Sequence, residues 1–303
     1  MATLTVLQEL GSSTGHISTR QLKQLSNLHR ADYDKFWPTW QMIQPERRYE
    51  IVHTMVEMAE EDVSLNFEEI LFWLLQDTEP KIRIEALEGM WENIQPRALQ
   101  RTISVLRNDS DADVRAVAAL SLSRFTYLVS LDELDADQNG LRNVLMDTIL
   151  DEQQPNDVRR RAIESIGYLA EDAEAQTEIQ HAYESKEQLL QESSLVAMGR
   201  SMRVEWLPTI EHEMGSPSPA LRYEAARAAG EMSEDAQPIL AKLFPLVNDS
   251  DTEVALSAIW ALGQIGGETA LKNLQRIRDT SDAARSQAAA DALAELSLED
   301  GIL

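Results

Sequence analysis

Seven stretches of the chain share one arrangement of apolar, small and charged positions. They read IRIEALEGMW from Ile82, VRAVAALSLS from Val114, VRRRAIESIG from Val158, LQESSLVAMG from Leu190, LRYEAARAAG from Leu221, VALSAIWALG from Val254 and ARSQAAADAL from Ala284. An apolar residue opens each piece except the last, and Arg often follows it. A small residue stands four positions on (Ala86, Ala118, Ala162, Ser194, Ala225, Ala258, Ala288), and Gly is common nine positions on. Apolar and small residues at offsets 0, 4, 5 and 8 lie on one face of an α-helix. The starts are 32, 44, 32, 31, 33 and 30 residues apart, so this is an internal repeat.

A second amphipathic segment precedes each piece: NFEEILFWLLQ, PRALQRTISVLR, GLRNVLMDTIL, EAQTEIQHAYE, VEWLPTIEHEM, AQPILAKLFPLV and ETALKNLQRIR. Short turns rich in Asp, Asn, Ser and Pro join the two, as in DTEP, NDSDAD, QQPND, GSPSPA and NDSDTE. Such residues end one helix and cap the next. The unit is therefore helix A, a turn and helix B. One unit cannot bury its apolar face alone, so neighbours must stack into a superhelix with a concave surface.

This unit, with Asp-rich turns followed by Val-Arg at the head of helix B, resembles the HEAT repeat. More narrowly it resembles the bacterial HEAT-like repeats related to phycobilisome lyase subunits. The resemblance spans residues 66–296. It implies an all-α fold, an α-α superhelix of the HEAT/armadillo-like solenoid type, with about seven helix pairs. We divide the chain into a polar leader and N-terminal helical cap over 1–65 and a solenoid over 66–303, with an acidic insertion near 128–140. Helices are predicted around 18–28, 31–43 and 46–60, and Trp37 and Trp40 are read as packing residues.

The arginines second in helix B (Arg83, Arg115, Arg159, Arg222, Arg285) follow aspartates in the turns (Asp77, Asp109, Asp249, Asp279). A ladder of Arg–Asp contacts between neighbouring repeats would hold the stack in register, and the resemblance implies the same. Arg159, Arg160 and Arg161 are the one cluster that suggests an anionic ligand.

Composition narrows the function. Lys and Arg total 27 against 52 Asp and Glu, a formal net charge of −25. Nucleic acid and anionic membrane both need a basic footprint, so neither is expected as a partner. A basic protein partner is compatible with the charge. With no cysteine, disulfides and thiolate chemistry are absent. The N-terminus has no basic region followed by an apolar run, and we expect a cytoplasmic protein.

Candidate chemistry is sparse. His181 and His212 each stand nine residues before a repeat start and read as half-buried packing positions, with a bridged metal as the alternative. Some HEAT-like enzymes, the deoxyhypusine hydroxylases, use several His-Glu pairs, whereas this chain has one, His212-Glu213. Asp135, Asp137, Asn139 and Gly140 have the opening spacing of a calcium loop, but its twelfth position is Met146. A flexible acidic loop is the alternative. No catalytic residue, metal site or cofactor is assigned.

Offsets 2, 3 and 6 of helix B fall off the buried face. In the later repeats they place Val196, Tyr223, Leu256 and Trp260 in one apolar-aromatic patch, with Arg227 among them. Such residue types anchor interfaces. Whether Trp260 is core or surface stays open. The expected function is a non-catalytic scaffold or adaptor that binds a protein on its concave surface. The alternative implied by the resemblance is a chaperone-like subunit of a bilin lyase-type chromophore attachment system.

Overall fold

A computed structural model describes residues 2–13 and 15–299. The chain is an all-α, α-α solenoid that divides into two units, residues 1–128 with 133–148 and residues 129–132 with 149–303.

In the first unit, α1 (Ala2–Ser12), α2 (Thr19–Leu22), α3 (Tyr33–Gln41) and α4 (Pro45–Glu61) precede the pairs α5 (Glu68–Leu74) with α6 (Pro80–Glu88) and α7 (Pro96–Asn108) with α8 (Ala112–Ser121). The expected polar leader contains a helix. Val6, Leu7 and Leu10 of α1 are buried, and this stripe is too short to stand out in the sequence. The divide between units falls within α9 (Ser123–Ser130) and α10 (Gln138–Leu150). In the second unit, A and B helices alternate as α12 (Ala173–Glu184) and α13 (Gln188–Ser201), α14 (Leu207–Glu213) and α15 (Pro219–Glu231), α16 (Leu243–Leu246) and α17 (Thr252–Ile265), then α18 (Gly267–Arg278) and α19 (Ala283–Glu299). The B helix α11 (Asn156–Ile166) precedes them, and 3₁₀ turns lead into α14 and α16.

The turn sequence Asn-Asp-Ser-Asp shows why the pairs form. It occurs at 108–111 and 248–251. Its second Asp is the N-cap. Asp111 accepts from the backbone N–H of Asp113 (3.0 Å) and Val114 (3.1 Å), and Asp251 accepts from Glu253 (3.0 Å) and Val254 (3.3 Å). Its first Asp turns the backbone, Asp109 accepting from Asp111 N–H and Asp249 from Asp251 N–H, each at 2.9 Å.

That first Asp also receives the previous repeat's arginine. Arg83 Nε and Nη2 donate to Asp109 at 2.8 and 2.7 Å, and Arg222 Nε and Nη2 donate to Asp249 at 2.7 and 2.9 Å. The third arm reaches the arginine's own turn, where Arg83 Nη1 donates to the Asp77 carbonyl at 2.7 Å and Arg222 Nη1 to the Ser216 carbonyl at 2.8 Å. The ladder extends into the N-terminal segment. Arg48 of α4 donates to both oxygens of buried Asp77 (2.7 and 2.6 Å), and Trp40 Nε1 donates to Asp77 at 2.7 Å. So Trp40 packs in the core and also holds a rung. Trp37 stacks on Tyr33 with centroids 5.7 Å apart. Asp279 takes no rung. It pairs with its neighbour Arg278, and Arg285 instead reaches back to the carbonyls of Val247 (3.1 Å) and Asp249 (2.8 Å).

In the second unit the B helices pack in sequence, α11 on α13, α13 on α15, α15 on α17 and α17 on α19. Glycine at offset 9 sets their spacing. A Cβ on Gly167 would stand 2.8 Å from the Ala197 Cα, and one on Gly199 would stand 2.8 Å from the Ala228 Cα. Backbone meets backbone there, and no side chain fits.

Two predictions follow from this packing. Asp77→Ala leaves the Arg48 guanidinium buried without its carboxylate and costs about 3–5 kcal/mol, whereas Asp279→Ala changes stability by less than about 0.5 kcal/mol; paired urea titrations measure both. Gly199→Leu forces α13 and α15 apart and lowers the melting temperature followed by circular dichroism, an effect of about 1–3 kcal/mol or more.

A candidate partner-binding face on the B helices

The second unit places the expected site residues as follows. Tyr223 and Arg227 stand on α15, Leu256 and Trp260 on α17, and all four are half-buried. Leu256, Trp260 and Gln264 are spaced by four and form the half-exposed stripe of a helix otherwise buried from Val254 to Ile265. The phase expected for this repeat therefore holds. Trp260 is not core. A Cβ on Gly230 would lie 2.4 Å from the Trp260 Cζ3, so the indole rests on bare backbone of α15. Ser257 Oγ donates to the Tyr223 carbonyl at 3.2 Å and ties the two helices beside it.

Val196 departs from expectation. It is 6% exposed, within a run from Ser193 to Gly199 that is buried throughout. The reason is the pair Gly167 and Gly199, which bring α11 and α15 so close on either flank that no gap remains at α13. The apolar stripe runs over α15 and α17 and stops there.

Charge fills the face beyond it. Buried Glu164 of α11 accepts from Ser193 Oγ (2.7 Å) and from Arg161 Nη1 (2.8 and 3.0 Å). Arg200 Nη1 donates to the Glu164 carbonyl at 2.8 Å, with its guanidinium 5.3 Å from the Tyr168 ring centre. Arg227 Nη2 donates to Glu231 at 2.9 Å, and its Nη1 lies 3.6 Å from Glu224. Glu224 Oε2 and Glu231 Oε2 are buried and accept no hydrogen bond. Burial pushes the Glu224 carboxyl up to about 7, and Glu164, Glu231 and Glu192 add to the shift against the opposing charge of Arg227. Arg227 stays above the usual arginine value despite burial, because Glu231 and Glu224 face it.

Other candidates resolve into structure. Arg159 donates to the Ile149 carbonyl at 2.9 Å, Arg160 to Asp157 at 2.8 Å and Arg161 to Glu164, so this cluster is committed within the protein. His181 and His212 are exposed rather than half-buried, His212 with 78% of its side chain open. The inward position between those helices belongs to Tyr183, whose hydroxyl donates to Glu213 at 2.6 Å, with burial and that carboxylate raising the phenol's pKa. In the acidic insertion, Asp137 accepts from the Gly140 N–H at 2.8 Å at the start of α10, and Met146 is buried in the apolar face of that helix. Among the described residues, no three His, Asp or Glu side chains converge on a point suited to a metal ion.

Glu164, Glu224 and Glu231 were not singled out from sequence. Glu164 and Glu224 occupy offsets 6 and 3 of helix B, the offsets that mark this face, and that is the signal that would have found them.

Stacked helix pairs with arginine–aspartate rungs and a mixed aromatic and charged B-helix face define a helical-repeat protein. The chain belongs to the HEAT-repeat family, since a description of HEAT repeats matches residues 45–137 and 207–294. The structure of the complex of CpcE and CpcF of phycocyanin lyase from Nostoc sp. PCC7120 is similar, with TM-score 0.53 and 18% identity over 78% of this chain and 94% of that one. Importin beta is also similar, with TM-score 0.50 and 15% identity over 98% of this chain and 45% of that one. Both likenesses concern the fold. A search of curated proteins gives no match. No helix among the described residues is long and apolar enough to cross a membrane.

Glu224 makes the stability of this unit pH-dependent. Its folded value of about 7 lies above the ordinary 4.5. The unfolded chain therefore loses this proton first, stability falls as pH rises from about 4.5 to 7, and it is level above. Glu224→Gln removes that slope and stabilises the protein at pH 8 by about 1–3 kcal/mol, which chemical denaturation at pH 5 and pH 8 measures.

Proposed function

We propose that this protein is a non-catalytic scaffold or adaptor that binds a protein partner on the B-helix face of its second unit. HEAT repeats commonly mediate protein interactions, and the family membership supports the general reading. The observation that carries the specific one is the aromatic stripe on α15 and α17. The Trp260 ring packs on the Gly230 backbone and stays half-buried, on the face that carries Tyr223, Leu256 and Arg227. Rigid aromatic side chains with an arginine among them are the residue types that anchor interfaces, because they bury area at low entropic cost. Glu192, Glu224 and Glu231 border the stripe, which favours a partner with basic residues around an apolar anchor.

A second reading is a chaperone-like subunit of a bilin lyase-type chromophore attachment system. The likeness to the phycocyanin lyase complex favours it. It predicts that a bilin-bearing partner changes its visible absorbance on mixing with this protein, and an unchanged spectrum rejects it.

The scaffold reading is tested by affinity capture with the wild type beside Tyr223→Ala/Trp260→Ala, both checked for folding by circular dichroism. The expected outcome is a protein held by the wild type and lost by the folded variant. Equal capture by both moves the interface elsewhere on the chain.

A further inference from the structure

The first unit contains a groove that the proposed function does not use. It is walled by α4, the segment from Val63 to Phe67, the start of α5 and the turn from Gly89 to Gln95, and it encloses about 410 Å³. Its base is apolar and includes Met55, Phe67, Leu71 and Met90, all buried. Two apolar residues stand open at its mouth, Val63 at 96% exposure and Ile94 at 52%. Trp91, 63% exposed, is next in the chain to Met90. Gly89 lets the end of α6 reach α4. A Cβ there would lie 2.6 Å from Val56 Cγ2, so the turn is held against the helix and the groove has a fixed wall.

The ionisable residues lining the groove are both carboxylates, Glu68 and Glu92. Glu57, Glu60 and Glu61 stand along the same helix as Met55 and Ala59. The nearby cations are paired with carboxylates except Arg124, whose Nη1 and Nη2 are buried without a hydrogen-bond partner. Lys23 donates to Asp62 at 3.1 Å, Arg30 donates to Glu69 at 3.2 Å, Arg97 pairs with Glu69, and Arg124 Nε donates to the Asn93 carbonyl at 3.1 Å. Burial raises the carboxyl of Glu88 on α6, with Glu85 adding to the shift and His53 opposing it.

We infer that this groove is a second docking site, independent of the B-helix face, and that it receives a basic amphipathic helix of a partner protein. An apolar base with exposed aliphatic residues needs an apolar stripe to cover it. An acidic rim whose cations are otherwise engaged selects lysine or arginine on the flanks of that stripe. A helix laid in a groove supplies both at spacings of three and four. Methionine at the base adapts its shape to the incoming side chain. An anionic membrane surface meets the same acidic rim and is repelled.

The probe is a synthetic helical peptide of Leu and Lys with Leu at spacings of three and four, beside a control with Glu in place of Lys. The full chain is labelled at its methionine methyls and followed by NMR. The expected result is saturable shifts at Met55 and Met90 with the basic peptide and none with the acidic one. Val63→Asp/Ile94→Asp, at two exposed positions, is expected to weaken binding at least about tenfold, whereas Tyr223→Ala/Trp260→Ala leaves it unchanged. Shifts confined to methionines of the second unit, such as Met198 and Met232, overturn the inference, as does an absence of binding. Equal binding of the acidic peptide overturns the charge argument. A dimer of the free protein that Val63→Asp/Ile94→Asp abolishes makes a second copy the occupant instead. Should the variant fail to fold, the methyl shifts of the wild type with the two peptides decide alone.

Discussion

The contact on which the architecture depends is a planar guanidinium at the head of one B helix laid against a carboxylate in the next repeat's turn. Two parallel N–H···O bonds fit in one orientation only, so each rung fixes both distance and rotation between repeats. Arg83–Asp109 and Arg222–Asp249 are of this kind, whereas Arg48 meets both oxygens of Asp77 through Nη1 alone. Removing charges from water offsets most of the attraction, so a rung adds little net stability while its disruption is costly. It specifies one stacking against the alternatives. The same aspartate also turns the backbone, so turn geometry and repeat register are set by a single side chain, and the aspartate two residues on caps the helix.

The glycine-alanine approaches act on the other end of the B helices. On α15 both act, the Arg222 rung at its head and the Gly230 approach near its tail, whereas α13 and α17 carry Gln191 and Ala255 at the rung position and are held by the glycine approaches alone. On α13 this closes the surface over Val196. On α15 and α17 it leaves Gly230 bare beneath Trp260 and creates a place where an aromatic ring is held without being covered. It also narrows the space around Glu224 and Glu231, where carboxylate oxygens lose water and gain no donor. Aromatic exposure and acid strain thus share one origin in close helix packing.

Much of this was legible in the sequence because it is governed by spacing along the chain. The period, the A-turn-B unit and the rungs of Arg83 and Arg222 follow from offsets that a reader can count. Arg48 escaped because Pro-Glu-Arg-Arg lacks the apolar residue that precedes arginine elsewhere. Asp279 stood at the right offset, but the preceding B helix carries Ala255 where the rung arginine would stand, and Arg285 turns back to the carbonyls of Val247 and Asp249. Offsets identify a helix face without saying how near the next helix stands. That is why Val196 was placed on the surface, and why His181 and His212 were expected half-buried when Tyr183 takes the inward position. Glu164 and Glu224 could be placed on the right face, but their burial comes from neighbours about 30 residues away.

The spacing of the clamps bears on how such a chain changes length. Gly167 meets Ala197, and Ala197 and Ala228 occupy the same offset in successive repeats. Excising residues 190–220 would set Gly167 against Ala228 and keep the backbone approach, but it would put Glu224 and Glu231 in the places of Ser193 and Arg200 beside Glu164. Duplication of the same span would keep the backbone approach as well. Recombination between repeats preserves that approach in whole periods, whereas a shift of a few residues misaligns the small residues at the junction. The backbone joint is therefore interchangeable in whole periods, while the side chains around it are specific to each repeat.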